Sequence, residues 1–373
     1  MKAYLDNAAT TMVRPEAAEA VMRAMTEVYG NPSSSHSAGL DAHELVEASR
    51  ARIASAIGAE AGEIVFVSGG TEADNWALSA AALRRGRHIV STAAEHEAVL
   101  ETLKAMSARG WEVTLVEPER DGSIPAQKII DAVREDTALV SVMSVNNETG
   151  CVFPVAEVAR LLKEGGSRAL LHTDAVQAFL KQPLKVRTLG ADLISISSHK
   201  VHGPKGIGAL YVRKGVNIKP IIFGGGQERG LRSGTEPVPA IAGFAAAVGA
   251  AGSITKHAEA AAELNAYIRE RISASIPDAV FIGGGAPHIL CLALPGYRAE
   301  VVMNYLGSRG VYVSRGSACA KGRRSHVLTA MHLPPEVVDG SIRVSFSEFT
   351  TQEEAEYFCA CLEEAAQKLL KKL

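Results

Sequence analysis

Asp192-Leu193-Ile194-Ser195-Ile196-Ser197-Ser198-His199-Lys200 runs from an apolar stretch straight into hydroxyls, an imidazole and a lysine, and the glycine-rich His202-Gly203-Pro204-Lys205-Gly206-Ile207-Gly208 comes directly after. The apolar part predicts a buried strand that ends at Ser197. A lysine just past such an end is poorly explained as solvated surface and reads as a reactive amine, the group that forms a Schiff base with a carbonyl.

Working outward, the same strand-then-polar pattern recurs on the amino-terminal side. Strands are predicted over 64–67, 88–91, 112–116, 139–143 and 169–172, separated by helices over 72–85, 97–108, 129–134 and 155–163. Two helices come before them, over 15–28 and 41–57, the first opened by Pro15 and the second stopped at Gly58. Strand and helix alternating at these lengths predict a mostly parallel sheet with helices on both faces, that is, an α/β protein. Ligands of such sheets bind at the carboxyl ends of the strands. From about Val238 the texture changes to alanine-rich helix over 239–251 and 256–275, then short strands over 290–294, 311–314 and 342–346 and a helix from 352, which predicts a smaller α+β unit.

At 373 residues the chain exceeds what one core usually serves, so two domains are expected. A 47% hydrophobic and 21% charged composition is that of a globular protein, and a net charge of -2 gives no electrostatic reason for nucleic acid or an anionic membrane as a partner. The first residues show no basic region followed by an apolar core, and no apolar run of about 18 residues occurs, so a cytoplasmic location is expected. Cys151, Cys291, Cys319, Cys359 and Cys361 include no Cys-x-x-Cys pair, which favours neither a disulfide framework nor zinc, and no metal site is expected. Cys359 and Cys361 read as packing residues of the last helix, and Cys151 is left open between a place near the site and simple packing.

Several strand ends carry chemistry. Gly69-Gly70-Thr71-Glu72 opens a helix, where free N–H groups, the helix dipole and a hydroxyl converge on a phosphate, or where Thr71 simply caps. Asp174 ends the strand before that of Lys200 and either caps a turn or faces a cationic ring nitrogen. His96, after the strand over 88–91, either stacks on an aromatic ring and relays protons or bonds locally at a helix start. Lysine, buried acid, phosphate turn and imidazole are what pyridoxal phosphate (PLP) requires of a protein. Cys319, in Ser314-Arg315-Gly316-Ser317-Ala318-Cys319-Ala320-Lys321-Gly322-Arg323-Arg324-Ser325, lies among small residues and four cations that favour a thiolate. Arg343, flanked by apolar residues, wants a carboxylate, either a ligand's or one of this chain.

Tyr4-Leu5-Asp6-Asn7-Ala8-Ala9-Thr10-Thr11, Ser68-Gly69-Gly70-Thr71-Glu72-Ala73-Asp74-Asn75, Glu95-His96, Asn146-Asn147-Glu148, Asp174 with Gln177, Ser197-Ser198-His199-Lys200, Arg232-Ser233-Gly234-Thr235 and Gly316-Ser317-Ala318-Cys319 together resemble the cysteine desulfurases, a class V aminotransferase branch of fold type I PLP enzymes. The resemblance implies a large PLP-binding domain over 12–255 and a small domain made of 1–11 and 256–373 that carries the cysteine loop. It implies a homodimer with PLP anchored on Lys200, Asp174 at the ring nitrogen, His96 on the ring, and Asn147 and Gln177 on the ring-hydroxyl side. Gly70, Thr71, Ser197 and His199 would hold the phosphate, with Thr235 reaching in from the second subunit. Asn147 and Arg343 would bind the substrate carboxylate of L-cysteine, and Cys319 would take its sulfur for delivery to an iron–sulfur scaffold or a tRNA-thiolation protein.

Two features depart from the family pattern: Arg315 stands where serine is common, and the chain ends soon after its last expected helix, which leaves the acceptor open. Selenocysteine lyase and cysteine sulfinate desulfinase are alternatives on the same fold. A catalytically silent sulfur-relay scaffold is an alternative of another class.

Overall fold

The computed structural model describes residues 1–316 and 324–371. A two-residue strand, β1 (Ala3–Tyr4), comes first, then the helices Pro15–Thr26 and Ser37–Ile57. Proline in the first turn of the former and left-handed Gly58 (φ 72°) after the latter give the boundaries that the sequence announces.

The large sheet comprises β2 (Ile64–Val67), β3 (His88–Thr92), β4 (Glu112–Val116), β5 (Thr137–Ser141), β6 (Leu170–Asp174), β7 (Leu193–Ser197) and β8 (Gly208–Val212), in the order β2-β8-β7-β6-β5-β3-β4. Only β8 runs against the rest, pairing antiparallel with both β2 and β7. Every residue of β3, β5, β6 and β7 is buried, because helices cover both faces; β4, at the edge, is partly open. Parallel register sets Asp174 opposite Ser195, so the last residues of β6 and the turn after β7 meet at one edge of the sheet.

The rest of the chain forms β9 (Val280–Ile282), β10 (Ile289–Ala293), β11 (Val311–Tyr312) and β12 (Ser341–Ser345), with β12-β10-β9 antiparallel and β11 paired to β1. Ala3 and Leu5 share an apolar core with Ile268, Leu292, Phe358 and Leu362, separate from the cores on the two faces of the large sheet. The amino-terminal segment thus crosses between the two parts, placing Ala8 and Ala9 beside the large sheet's carboxyl edge.

Departures from the expected elements have physical causes. The helix expected over 72–85 is Gly70–Ser79 and then tightens into the 3₁₀ turn Ala80–Leu83 ahead of Gly86 (φ 106°). The strand expected over 311–314 stops at Tyr312, and Ser314 instead bridges to Arg343. The helix expected over 129–134 is Ala126–Ile130, while β8, β9 and the helix Ala299–Ser308 were not expected. Cys359 and Cys361 are both buried, as packing residues should be.

One buried ion pair fixes the loop that carries Arg232 and Thr235. Arg50 donates to Glu228 at 2.7 and 2.8 Å, and Glu228 Oε2 also accepts from the N–H of Phe66 in β2. Satisfied on this scale, such a pair specifies geometry, and breaking it by removing one partner costs about 3–5 kcal/mol.

Candidate active site

Lys200 closes the 3₁₀ turn Ser198–Lys200 directly after β7. Its Nζ donates to the carbonyl oxygens of Ala8 at 2.7 Å and Ala9 at 2.5 Å. Two main-chain acceptors from the amino-terminal segment thereby hold the amine in a cavity of about 250 Å³. Gly70, Thr71, His96, Asn147, Asp174, Gln177, Ser197, His199 and Arg343 line that cavity together with Lys200, so residues scattered from 70 to 343 converge there.

Asp174 is buried at the end of β6, where its Oδ1 accepts from the N–H of Val176 at 2.9 Å. Burial, and then the carboxylate of Asp74, push its carboxyl up to about 7. Asp74, on the helix Gly70–Ser79, is also buried; burial pushes it up to about 7 as well, and its Oδ1 has no hydrogen-bond partner. His172 Nε2 approaches that oxygen at 3.6 Å but is bonded to Ser195 Oγ, and burial lowers its pKa to about 4, so the contact is no ion pair. Single donor atoms of Asp74, His96 and Asp174 all lie within 4.8 Å of one another. Two acids crowded here without a matching cation make a site that favours a positively charged ring nitrogen.

His96 bonds locally at a helix start, one of the two roles its sequence position suggested, and also reaches the cavity. It caps the helix Glu97–Ser107, its Nδ1 accepting from the N–H of Ala98 at 3.1 Å, and its ring lines the cavity. Accepting at Nδ1 leaves the proton of the neutral ring on Nε2. Glu95 beside it is fully buried; its Oε1 accepts from Thr92 and from the N–H of Met143, and burial raises its pKa well above the ordinary value.

At the other end, Gly70 opens a ten-residue helix, and a Cβ there would lie 2.9 Å from Val176. Glycine therefore lets the helix start approach the cavity. Ser197 Oγ is buried with no partner, and His199, its pKa lowered to about 4 by burial and by nearby Lys200, offers a neutral imidazole. Glu72 takes Arg232 at 3.0 Å, tethering the Arg232–Thr235 segment to this helix. Thr235 itself is exposed and does not line the cavity of its own chain.

Arg343 on β12 is 2% exposed. It donates to Asn147 O at 2.7 Å, to Gly316 O at 2.8 Å and to Asp6 Oδ1 at 2.9 Å, while its Nε has no partner. The carboxylate this arginine wants is thus already supplied in part by its own chain.

Cys319, with Lys321 and Arg323, lies outside the described residues. The two cations flanking that segment do not stand free for a thiolate: Arg315 pairs with Glu300, and Arg324 pairs with Asp339 at 2.8 Å. Cys151 does not line the cavity; it packs where a Cβ on Gly122 or Gly283 would meet its Sγ at 2.5 or 2.7 Å, and burial raises its pKa.

Asp74 and the Ala8 and Ala9 carbonyls were not read as site groups from the sequence. Asp74 had a usable signal, since it stands four residues after Gly70 on one helix face. The carbonyls had none, being supplied by a segment almost two hundred residues away.

These residues fit PLP. An amine for its aldehyde, a cation-seeking buried acid for its ring nitrogen, and an unpartnered hydroxyl with a helix start for its phosphate stand around one cavity. The fold and the site are those of an α/β enzyme with a lysine-bearing cavity at the carboxyl edge of its sheet. The family model described as aminotransferase class-V matches residues 3–358, and the chain belongs to that family.

Within the family its similarity is to cysteine desulfurases. It is 41% identical to a cysteine desulfurase of Trichormus azollae over 98% of this chain and 93% of that one. It is 39% identical to the cysteine desulfurase IscS of Methanosarcina thermophila over 98% and 92%. Among solved structures, a NifS-like protein covers 99% of this chain and 100% of its own at 38% identity and a TM-score of 0.93. The structure titled SspA in complex with cysteine covers 94% and 100% at 33% identity and a TM-score of 0.81.

Proposed function

We propose that this protein is a PLP-dependent cysteine desulfurase that converts L-cysteine to L-alanine and moves the sulfur to Cys319. The observation that carries the reading is the convergence of Lys200, Asp174 and the Gly70–Ser197 phosphate end on one cavity, with Arg343 at its side. Lys200 would anchor PLP, Asp174 would pair with its ring nitrogen, His96 would lie on the ring, and Asn147 and Gln177 would face its ring hydroxyl. Gly70, Thr71, Ser197 and His199 would take the phosphate, with Thr235 contributed by a second copy. When bound, PLP supplies an electron sink for negative charge developed on the substrate.

The chain's own groups do the rest. Arg343 orients the substrate carboxylate, and Asn147 assists. Lys200 Nζ takes and returns the proton at the substrate's Cα, and His96 carries its own proton on Nε2 toward the same space. The Cys319 thiolate attacks the substrate sulfur: an S–S bond forms, the C–S bond breaks, its electron pair stays on Cβ, and a proton added there completes alanine. Cysteine and a protein thiol thus become alanine and a protein persulfide. A carrier protein would then take that sulfur, either an iron–sulfur scaffold or a tRNA-thiolation protein.

A homodimer is supported by exposed Met22, Met25, Tyr29 and Phe223, apolar side chains that a second copy would cover, and by Thr235, which is exposed and does not line the cavity of its own chain. Among the described residues no single helix is long and apolar enough to cross a membrane, which supports a cytoplasmic enzyme. The division at 12–255 against 1–11 with 256–373 is supported by the core that Ala3 and Leu5 share with Phe358 and Leu362.

The test is release of alanine and sulfide from L-cysteine under a thiol reductant, with PLP present. Equimolar products are expected; an inert protein sinks the reading and favours the silent scaffold. Faster turnover of selenocysteine or cysteine sulfinate than of cysteine would move the activity to those relatives.

Arg343→Lys gives a smaller, separable effect. Lysine keeps the charge but loses the fork, so KM for L-cysteine should rise about 10- to 100-fold, as losing a charged hydrogen bond does, with kcat changed less. A KM within twofold of the parent would show that Arg343 serves only Asp6, Asn147 and Gly316.

A further inference from the structure

Lys181 lies in the turn after Asp174, four residues past Gln177, and is absent from the lining of the cofactor cavity. It lines instead a second, smaller cavity of about 50 Å³ with Lys200, Arg14, His202, His288 and Glu348. Its Nζ donates to Gln177 Oε1 at 3.2 Å, Gln177 Nε2 donates to Ala8 O at 2.9 Å, and Ala8 O accepts Lys200 Nζ at 2.7 Å. A continuous hydrogen-bonded chain therefore links the two lysines through a side chain that faces the cofactor cavity.

Leu180 stands at φ 56°, a left-handed conformation that leucine seldom adopts, and it precedes the residue that turns inward. Backbone strain at a functional turn is held when the surrounding contacts require it. No carboxylate among the described residues forms an ion pair with Lys181; Glu348, which lines the same cavity, is engaged by Arg14 and His257. Lys200, Arg14, His202, His257, His288 and Glu348 are the charged and titratable groups that line the cavity with Lys181, and the like charges of Lys200 and Arg343 act on its amine. Neither ring nitrogen of buried His288 closes a hydrogen bond, although one faces the backbone of Gln177. The acceptor that fixes Lys181 is the Gln177 amide oxygen.

We propose that Lys181 is a positioning residue for the desulfurase reaction: by holding Gln177 Oε1 it fixes the amide so that Nε2, a donor, is the atom presented to the cofactor's ring oxygen. Without this clamp the amide keeps only its Nε2 bond to Ala8 O and can swing about that single contact, which takes the second Nε2 hydrogen away from the ring oxygen. Burial, then Lys200 and Arg343, lower the Lys181 pKa to about 7, yet the clamp persists through that titration because a neutral amine still donates. The inference rests on the proposed function, since it needs PLP on Lys200.

The test reads the holoenzyme without substrate. The absorption band of the lysine-bound cofactor is titrated with pH in the parent, Lys181→Met, Gln177→Leu and the double variant. A donor at the ring oxygen stabilises its deprotonated form, so losing that donor should raise the midpoint, by about one unit for either single change. Because Lys181 acts through Gln177, the double variant should shift clearly less than the sum of the two. Should Lys181→Met not fold, Lys181→Thr, too short to reach Gln177 but suited to a polar cavity, carries the same expectation. A parent band that titrates normally while the Lys181 variants match it, or shifts that simply add, overturns this inference alone. A parent protein that takes up no PLP overturns it together with the proposed function.

Discussion

Lys200→Ala is expected to lower alanine formation from L-cysteine by at least about 10³-fold, the combined loss of a covalent anchor and a general base. Among the described residues no other lysine lines the cofactor cavity. Lys181, the nearest other lysine in the hydrogen-bonded chain, is separated from the cofactor cavity by Gln177, and Lys205 is absent from the cavity lining. The variant should still fold, because Lys200 Nζ is held by two main-chain carbonyls that water can serve once the side chain is shortened. Its PLP should separate from the protein on gel filtration in buffer, whereas the parent retains its colour, and an added primary amine should restore part of the rate. Retention of a tenth of the parent activity would move the anchor elsewhere.

The site was legible where strand chemistry is local. Runs such as Leu193-Ile194-Ser195-Ile196-Ser197 announce a buried strand, and the residues just past its end must lie at the carboxyl edge, which is how Lys200, Asp174 and His96 were found. β8 escaped because it begins at Gly208 within a glycine-rich run that reads as turn, and because an antiparallel strand reached by so short a connection breaks the βα rhythm. Groups whose meaning comes from distant partners were not legible at all. Arg315 and Arg324 looked like free cations for a thiolate until Glu300 and Asp339 were beside them. Arg343 could want a ligand's carboxylate or one of this chain, and only the fold sets Asp6 beside it. Lys181 was not singled out, since only the folded turn after Asp174 brings it to Gln177.

Cys319→Ala is the second large expectation: alanine and sulfide production from L-cysteine should both fall by about 10³-fold or more, while PLP uptake and the absorbance change on adding cysteine persist. Gly316 O is held by Arg343, a lining residue of the cavity, and on the far side Ser325 donates to Glu148, the neighbour of Asn147. A Cβ on Gly316 would meet Glu148 Oε2 at 2.4 Å, so glycine is what lets the chain pass that close. Cys319 follows Gly316 by only three residues in the sequence, and the Gly316 carbonyl is already bonded to the site. A thiol on so short a tether can meet a substrate sulfur whose carboxylate Arg343 holds, and alanine in its place leaves the sulfur without a nucleophile. If Cys319→Ala kept a tenth of the parent rate with L-cysteine, the sulfur would be leaving without a protein thiol, as a lyase releases it. If the rate fell with cysteine but held with selenocysteine, the thiol would be needed only for the harder bond to break, and the two activities would share one site.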